Sequence, residues 1–590
     1  MGVWDSAPKS LEDVPPLWRW VGAGTAVVTG YALVTQVHYS VRKARSRRRR
    51  AEFLEKNRQH KQEFATRIRQ IQPGDAHEAI CALSLKELQE NLQSGTLKPT
   101  QVLRAYQRKT VDVNEKTNCV ADYIVEAEKW AAELDSASDK GPLHGIPFSV
   151  KEIFPLKGYT STWGNYTFAG NVSKENFALY EVLINQGAVP FVRSNIPYMS
   201  FSYTGWNPIY GDHVNPYDPT RHPGGSSGGE ATLVATAATP FGIGSDLGGS
   251  VRTPSSWCGI VGLKCGTTRL SWKNTFTFEA LIGICQQTFG PMTRDVDSAA
   301  FVMRHLLVEE MFKADPIIPP VPWRDQIYED RGPLRIGYFV NNGVIRAVPA
   351  MERAVLLTKD KLQQAGHTLV PFQLPEGDGS SDWTWHTSLF KFFHGDGGYQ
   401  YQSFVGDDVY GDELMTSPSM PFPRLPMWFN YTYAQFVKLF NEDEGLAIES
   451  TCASPSVSRW WALVTSLYKW RRSCLQQLET RQIDAVLGPP MPAPAMPRHQ
   501  HWPNRGSTDL GSYMFVYNIL DWSAGVVPVT KVTESDVADM KDYPTQGKRY
   551  SMIQEGMRGA TGLPVNVQVA APPYQEELVL RILKQIEESL

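Results

Sequence analysis

The hydrophobic and polar positions of this chain follow two periods. Leucine and isoleucine recur at helical spacing near both ends of the body, at Leu83, Leu85, Leu88 and Leu92 and again at Leu578, Ile582, Leu583 and Ile586. Short apolar runs at 145–152, 187–192 and 335–340 instead predict buried strands, the first of which ends near Lys151. Residues 122–134 predict another helix. Strands that alternate with helical stretches predict an α/β fold in which a sheet lies between helices.

The amino terminus has a different pattern. Residues 1–19 carry charges of both signs, and residues 20–37 (WVGAGTAVVTGYALVTQV) carry none. A helix of this length would extend roughly 27 Å, close to the thickness of a bilayer core. Seven of the nine residues at 42–50 are basic, which predicts that the following chain is cytosolic. We therefore expect a transmembrane anchor at 20–37, a basic juxtamembrane and linker helix at 38–77, and a globular body at 78–590.

Two other interpretations of residues 20–37 stay open. A cleaved signal peptide would have its basic residues before the apolar stretch, whereas here they follow it. The stretch could also be a buried core helix that precedes a solvated run of charge. Its threonines and glycines make it only weakly apolar, so an anchor here would gain from arginines that bind anionic headgroups.

Composition narrows the possible functions. The chain is 42% hydrophobic and 20% charged, with a net charge of −3, which gives no basic field for nucleic acid. The 7 cysteines are widely spaced and include no C-x-x-C pair. This argues against a disulfide framework or a zinc site and fits a reducing compartment. The proline-rich stretch 315–324 predicts an extended connector, although its spacing also matches an SH3 ligand.

Residues 411–440 are rich in proline and then in aromatic side chains. Six aromatics fall within 13 residues: Trp428, Phe429, Tyr431, Tyr433, Phe436 and Phe440. This density suits a membrane interface or the entrance to an apolar ligand site. The same residues could equally fill core, and both interpretations stay open.

The candidate chemistry lies at 221–250 (RHPGGSSGGEATLVATAATPFGIGSDLGGS), where two glycine-rich turns present serines. Glycine lets several backbone N–H groups point at one substrate atom, and a helix that begins after Gly229 would add its dipole. A phosphate loop would need Gly-Lys-[Ser/Thr], which is absent. A structural Gly/Ser loop and an acyl-transfer site remain. Residues 224–228 also match the G-x-S-x-G elbow, whose serine works with a histidine base such as His222 or His144.

Longer strings decide between these interpretations. Six strings resemble the amidase signature family and occur in the family's order. They are HGIPFSVKE (144–152), GGSSGGE (224–230), GSDLGGSVRTPSSWCGIVGLK (244–264), DAVLGPPMPAPA (484–495), AGVVPV (524–529) and GLPVNVQ (562–568). The resemblance is greatest to animal members with an amino-terminal anchor. It implies the amidase-signature fold, a large mixed sheet between helices. One departure is Cys265–Gly266, where the family usually has Pro-Thr.

The resemblance implies a role for each matching residue. Ser226 would be the nucleophile, Ser250 a proton relay and Lys151 a neutral base, with Ser227 holding the lysine. Burial would lower the pKa of Lys151, whereas a nearby carboxylate would raise it. Backbone N–H groups would form the oxyanion hole, at Leu247, Gly248, Gly249 and Ser250. Asp246 and Arg252 would brace this loop, and a cis peptide would join Gly249 to Ser250.

The resemblance also implies long-chain fatty-acid amides as substrates, both N-acylethanolamines and primary amides, with Phe201 and Tyr203 beside the acyl chain. No metal or organic cofactor is expected. Expected partners are the lipid substrate, an intracellular membrane such as the endoplasmic reticulum, and a second copy of the chain, but no nucleic acid. Two alternatives are a glutamine amidase of an amidotransferase and a membrane-anchored scaffold without catalysis.

Replacement of the predicted base separates the lysine and histidine mechanisms. Lys151→Ala is expected to lower amide turnover by about 10²–10⁴-fold, because it removes the group that accepts the serine proton. Turnover of the purified variants is the measurement, with His222→Ala and His144→Ala as controls that retain activity. Near-normal turnover in Lys151→Ala, with loss in a histidine variant, would contradict the lysine mechanism.

Overall fold

The computed structural model describes residues 16–71, 77–275, 285, 287–377, 427–440, 449, 456–499, 504–545 and 548–590. Part of the aromatic segment predicted at 411–440, namely 411–426, lies outside these residues. All residues predicted to carry the chemistry lie inside them.

The centre of the molecule is a mixed sheet of eleven strands in the order β1-β3-β2-β4-β6-β5-β10-β11-β9-β7-β8. The strands, β1 to β11 in chain order, are Val120–Tyr123, Pro147–Lys151, Val189–Ser194, Phe241–Asp246, Val261–Lys264, Thr288–Thr293, Arg335–Tyr338, Thr368–Pro371, Ala485–Gly488, Ser523–Lys531 and Pro564–Ala571. Strands β3, β2 and β4 run parallel, as do β9, β7 and β8, and the remaining pairs are antiparallel. The predicted mixed sheet is therefore confirmed.

Helices pack against this sheet. Those of the described residues, α1 to α18 in chain order, are Pro16–Gln70, His77–Ala82, Leu85–Ser94, Pro99–Thr117, Ala127–Asp135, Ala178–Asn185, Gly228–Ala235, Arg252–Trp257, Val296–Leu306, Glu309–Ala314, Asp325–Tyr328, Pro349–Gln364, Met427–Lys438, Val457–Arg481, Asn504–Ile519, Glu534–Ala538, Lys548–Met557 and Glu576–Glu588. The helix predicted at 122–134 begins later, at Ala127, because Val120–Tyr123 pairs with β3 as an edge strand. Residues 315–324 contain no helix or strand, as expected of a connector.

Helix α1 covers the edge of the sheet that is formed by strand β1. Its Lys61 Nζ donates to the carbonyl of Val120 at 2.6 Å, its Asn57 amide donates to Ala121 at 3.0 Å, and its Phe64 ring is stacked on another side chain of this edge strand. An uncovered edge would leave such carbonyls open to pairing with another chain. None of the helices in the described part of the chain is both long and apolar enough to pass through a bilayer.

A cluster of aromatic rings supports the strand that carries Lys151. Phe177 lies 4.5 Å from Phe154, 4.9 Å from Phe289 and 5.3 Å from Tyr180, measured between ring centroids. The hydroxyl of Tyr180 accepts a hydrogen bond from the backbone N–H of Lys151 at 3.1 Å. Packing of the core therefore positions the end of β2.

Truncation of the central ring of this cluster should destabilise the fold. Phe177→Ala is expected to cost about 3–5 kcal/mol of unfolding free energy, because the ring is fully buried and the cavity would not close. Denaturant unfolding is the measurement, with the exposed Val172→Ala as a control expected to change stability by less than about 0.5 kcal/mol. Equal stability of the two variants would contradict this account of the core.

Candidate active site

Lys151 ends strand β2 and is fully buried. Its Nζ hydrogen bonds with three hydroxyls, those of Ser226 at 2.8 Å, Ser227 at 2.9 Å and Ser245 at 2.7 Å. An ammonium has three donors and no acceptor, whereas a neutral amine can donate to two hydroxyls and accept from the third. The three hydroxyls can therefore satisfy Lys151 in either protonation state.

The charge on Lys151 is disfavoured by its surroundings. Burial lowers the pKa of Lys151 to about 7, while the negative charges of Glu230 and Asp246 act in the opposite direction. No carboxylate of the described residues lies within ion-pair distance of Nζ. In a large fraction of the molecules, Lys151 is thus neutral near pH 7 and able to accept a proton.

The first glycine-rich turn brings Ser226 to this lysine. The turn leads into helix α7, which begins at Gly228, slightly before the start predicted after Gly229, so Ser226 and Ser227 lie at its amino-terminal end. Ser226 is 1% exposed. Its hydroxyl therefore lies against the lysine and away from solvent, which leaves little room for a substrate carbonyl.

The second glycine-rich turn follows strand β4 and carries Ser250. Its carbonyl accepts a hydrogen bond from the Ser227 N–H at 3.1 Å, so the two turns are neighbours. Ser250 is partly exposed, and within the described residues its hydroxyl has no hydrogen-bond partner. The sequence prediction placed Ser250 between Ser226 and Lys151. That order is wrong, because Ser226, and not Ser250, contacts Lys151.

The predicted cis peptide between Gly249 and Ser250 is also wrong. The non-proline cis bond joins Gly225 to Ser226. The turn at Gly249 is made by a φ of 110°, which glycine adopts without the steric cost that a Cβ would bring.

The loop of 247–250 has its carbonyls held on the side of the protein body. The carbonyl of Gly248 accepts from the Tyr203 hydroxyl at 2.7 Å, and that of Gly249 accepts from the Thr253 N–H at 2.6 Å. In a planar trans peptide the N–H points opposite to the C=O, so the Ser250 N–H points away from Thr253. The Gly249 N–H, in contrast, already donates to Asp246 at 2.7 Å. Three of the four predicted oxyanion donors, those of Leu247, Gly248 and Ser250, have no acceptor among the described residues.

Asp246 and Arg252 form a buried ion pair beneath this loop. Both side chains are fully buried, and two guanidinium nitrogens each lie 3.0 Å from a carboxylate oxygen. Arg252 also donates to Asn518 at 2.7 Å and to Gln568 at 2.8 Å. Burial raises the pKa of Asp246, but the Arg252 charge and hydrogen bonds outweigh it and hold the pKa below its usual range. The pair thus stays charged and ties the loop to two distant elements, α15 and β11.

The two aromatics predicted near the acyl chain differ in their settings. Tyr203 is partly buried and, through its bond to Gly248, braces the oxyanion loop directly. Phe201 is among the exposed large hydrophobic side chains. Only Phe201 is therefore open to an apolar ligand without rearrangement of the loop.

Histidine does not take part in the hydrogen bonds of either serine. The bonds of Ser226 and Ser250 in the described residues involve no imidazole, and His222 bonds through its backbone to Met496. In the part of the chain that the structure describes, no group of three or more His, Cys, Asp or Glu is placed to bind a metal ion.

Sequence reasoning missed four buried polar residues of the site: Glu230, Ser245, Asn518 and Gln568. Three of them lie in or beside strings that carried the family resemblance, so a polar residue within an apolar run was the available signal. Asn518 comes from α15, far along the chain, and only the fold brings it to Asp246, where its amide donates at 2.9 Å.

Comparisons with known proteins find relatives over most of the chain. The family model described as Amidase matches residues 101–580. Fatty-acid amide hydrolase 1 of Sus scrofa is 38% identical over 555 residues, which cover 92% of this chain and 91% of that protein. Fatty acid amide hydrolase 1 of Caenorhabditis elegans is 33% identical over 517 residues, which cover 86% and 88%. A solved structure of a fatty acid amide hydrolase superposes with a TM-score of 0.72 at 23% identity, over 91% of this chain and 90% of that one.

The family match spans most of the chain, and both relatives exceed 30% identity along nearly their whole length. The protein therefore belongs to the amidase family of hydrolases.

Proposed function

We propose that this enzyme is a membrane-associated serine amidase that hydrolyses fatty-acid amides, both N-acylethanolamines and primary amides, to a fatty acid and an amine. The observation that carries the chemistry is the contact of buried Lys151 with Ser226, whose turn lies next to the turn that carries the more exposed Ser250. The substrate class is supported by two relatives named fatty-acid amide hydrolases.

The proposed proton path runs from Ser250 through Ser226 to Lys151, and it requires the Ser250 hydroxyl, which has no partner among the described residues, to turn and donate to Ser226. Neutral Lys151 accepts the Ser226 proton while Ser226 accepts that of Ser250, and the Ser250 oxygen forms a bond to the substrate carbonyl carbon. A buried hydroxyl beside the base suits a relay, and a partly exposed hydroxyl suits a nucleophile that must meet a substrate. The proposed roles of the two serines are thus the reverse of those expected from the sequence.

The same path returns the proton. Lys151 gives the proton back through Ser226 to the amide nitrogen, and the C–N bond breaks. The amine leaves, and the acyl group stays attached to Ser250 as an ester. Water then attacks this ester, losing its proton along the same path, and the fatty acid is released. Protonation of the nitrogen is what allows an amide, rather than only an ester, to be cleaved.

The oxyanion of each tetrahedral intermediate would bind the N–H groups of Leu247, Gly248 and Ser250. Preorganised donors of this kind are typically worth about 3–4 kcal/mol each when tested by removal. Gly249 would instead maintain the loop through its bond to Asp246. The donors are preorganised because Tyr203, Arg252 and the start of helix α8 hold the opposite face of the loop.

Exposed apolar side chains support a lipid substrate. On the helices α13 and α14, Phe436 is 57% exposed, Phe440, just beyond α13, is 78% exposed and Trp461 is 62% exposed. Phe436 and Phe440 do not fill core, which favours the membrane-interface interpretation for this part of 411–440. The uncharged stretch 20–37 and the arginine-rich 42–50 support attachment to the cytosolic face of an intracellular membrane. Location at the endoplasmic reticulum and assembly as a homodimer stay predictions.

Covalent labelling distinguishes the two serines. A fluorophosphonate probe is expected to modify Ser250, so Ser250→Ala should abolish labelling, whereas Ser226→Ala should slow it by about 10²-fold or more because the relay is lost. The rate of probe incorporation and the mass of the modified peptide are the measurements, with the exposed Ser136→Ala as a control. A modified peptide that carries the probe on Ser226 would overturn the assignment.

A substrate panel tests the specificity. Membranes expressing the protein should hydrolyse oleamide and N-arachidonoylethanolamine at least about tenfold more efficiently, in kcat/KM, than acetamide or glutamine, because only a long chain gains from burial of its methylenes. Ser250→Ala membranes provide the background. Preference for glutamine would point to the other amidase class.

A further inference from the structure

Glu230 is a buried carboxylate that the mechanism above does not use. It lies in the first turn of helix α7, four residues after Ser226, and is fully buried. The Ser149 hydroxyl donates to one of its oxygens, and the Ser194 hydroxyl donates to the other at 3.0 Å. No lysine, arginine or histidine of the described residues forms an ion pair with it.

The fold reserves a place for this carboxylate beside the base. Ser149 and Lys151 are two residues apart on β2, so their side chains leave the same face of the sheet. On the neighbouring strand β4, a Cβ at Gly242 would overlap the carboxylate of Glu230. The shape of this face therefore admits Glu230 beside Ser149, on the face of the strand that also carries Lys151.

The charges of Glu230 and Lys151 depend on each other. Burial raises the pKa of Glu230 to about 7. The hydrogen bonds from Ser149 and Ser194 and the positive charge of Lys151 act in the opposite direction and lower it. Burial lowers the pKa of Lys151 to about 7, against the charge of Glu230. Each group thus favours the charged form of the other, and because both are fully buried this interaction is only weakly screened.

Other ionisable groups around the pair contribute less charge. Asp246 also faces Lys151, but its charge is offset by Arg252 at 3.0 Å. The Tyr180 hydroxyl and the Cys119 thiol lie near Glu230, and burial raises the pKa of both, to about 12 for Cys119, so they stay neutral. Glu230 is therefore the main uncompensated negative charge acting on the lysine.

We propose that Glu230 is a positioning residue that sets the charge on Lys151 and, through it, the pH range in which the enzyme works. This inference rests on the proposed role of Lys151 as the base. A negative Glu230 favours the ammonium, which cannot accept a proton, so the carboxylate delays activation of the enzyme as the pH rises.

The test is the pH profile of Glu230→Gln. Glutamine keeps the shape and can hydrogen bond with both serines but carries no charge. In the wild type, kcat/KM and the labelling rate should fall about tenfold per pH unit below the pKa of Lys151, because only the neutral amine is active. In Glu230→Gln this acidic limb should move to lower pH by on the order of one unit.

A matched control comes from the residue that directly follows strand β2. Glu152 is also buried, and its carboxylate accepts from the N–H groups of Thr162 and Trp163, away from the lysine. Glu152→Gln makes the same chemical change beside the site and should leave the acidic limb in place. A general loss of folding would affect both variants, whereas a shift of the limb would occur only in Glu230→Gln.

The outcomes separate the inference from the proposed function. An unmoved limb in folded Glu230→Gln, together with inactive Lys151→Ala, would overturn the role of Glu230 alone. An active Lys151→Ala variant would overturn the role of Lys151 as the base.

If Glu230→Gln does not fold, Ser194→Ala serves instead. Loss of this hydrogen bond favours protonation of Glu230, so the acidic limb should move in the same direction by a smaller amount. An unmoved limb would again overturn the role of Glu230.

Discussion

A lysine that is buried without an ion-paired carboxylate is the constraint on which the rest of the site depends. Moving an ammonium from water into a protein interior is costly, and a group in that position tends to become neutral instead. Lys151 is held in this position by the end of a central strand, by the Tyr180 hydroxyl on its backbone N–H and by three serine hydroxyls on Nζ. Hydroxyls can donate to or accept from the amine, so they satisfy it without fixing its charge.

The surrounding charges are arranged in two different ways. Asp246 and Arg252 are paired and fully hydrogen bonded, so they stay ionised and act as a rigid support for the loop that carries Ser250. Glu230 has only hydroxyl partners, so its charge is free to respond to that of Lys151. One member of each pair, Asp246 and Lys151, ends one of the neighbouring strands β4 and β2, while Arg252 and Glu230 come from helices.

The order of the two serines shows that sequence motifs can nominate two residues without deciding which of them contacts the lysine. Ser226 and Ser250 lie in similar glycine-rich turns, and G-x-S-x-G pointed to Ser226 as the nucleophile. Nothing in either turn states which hydroxyl faces the lysine. Helix α7 begins two residues after Ser226, whose side chain is buried, while the turn after β4 leaves Ser250 partly exposed.

The sequence by itself determined the fold class and the positions of β2, β3 and β7, because hydrophobic period is a local property of the chain. Its motifs nominated Lys151, Ser226 and Ser250 only through their resemblance to a known family. It missed Asn518, 272 residues from Asp246, and it misjudged where the helix after β1 begins. Only the tertiary structure decided which serine contacts the lysine, that Gly249 donates to Asp246, and that Glu230 lies beside the base without a cation. These are properties of side chains brought together across the sheet, and burial and partner distance, which set their protonation, do not exist before the chain has folded.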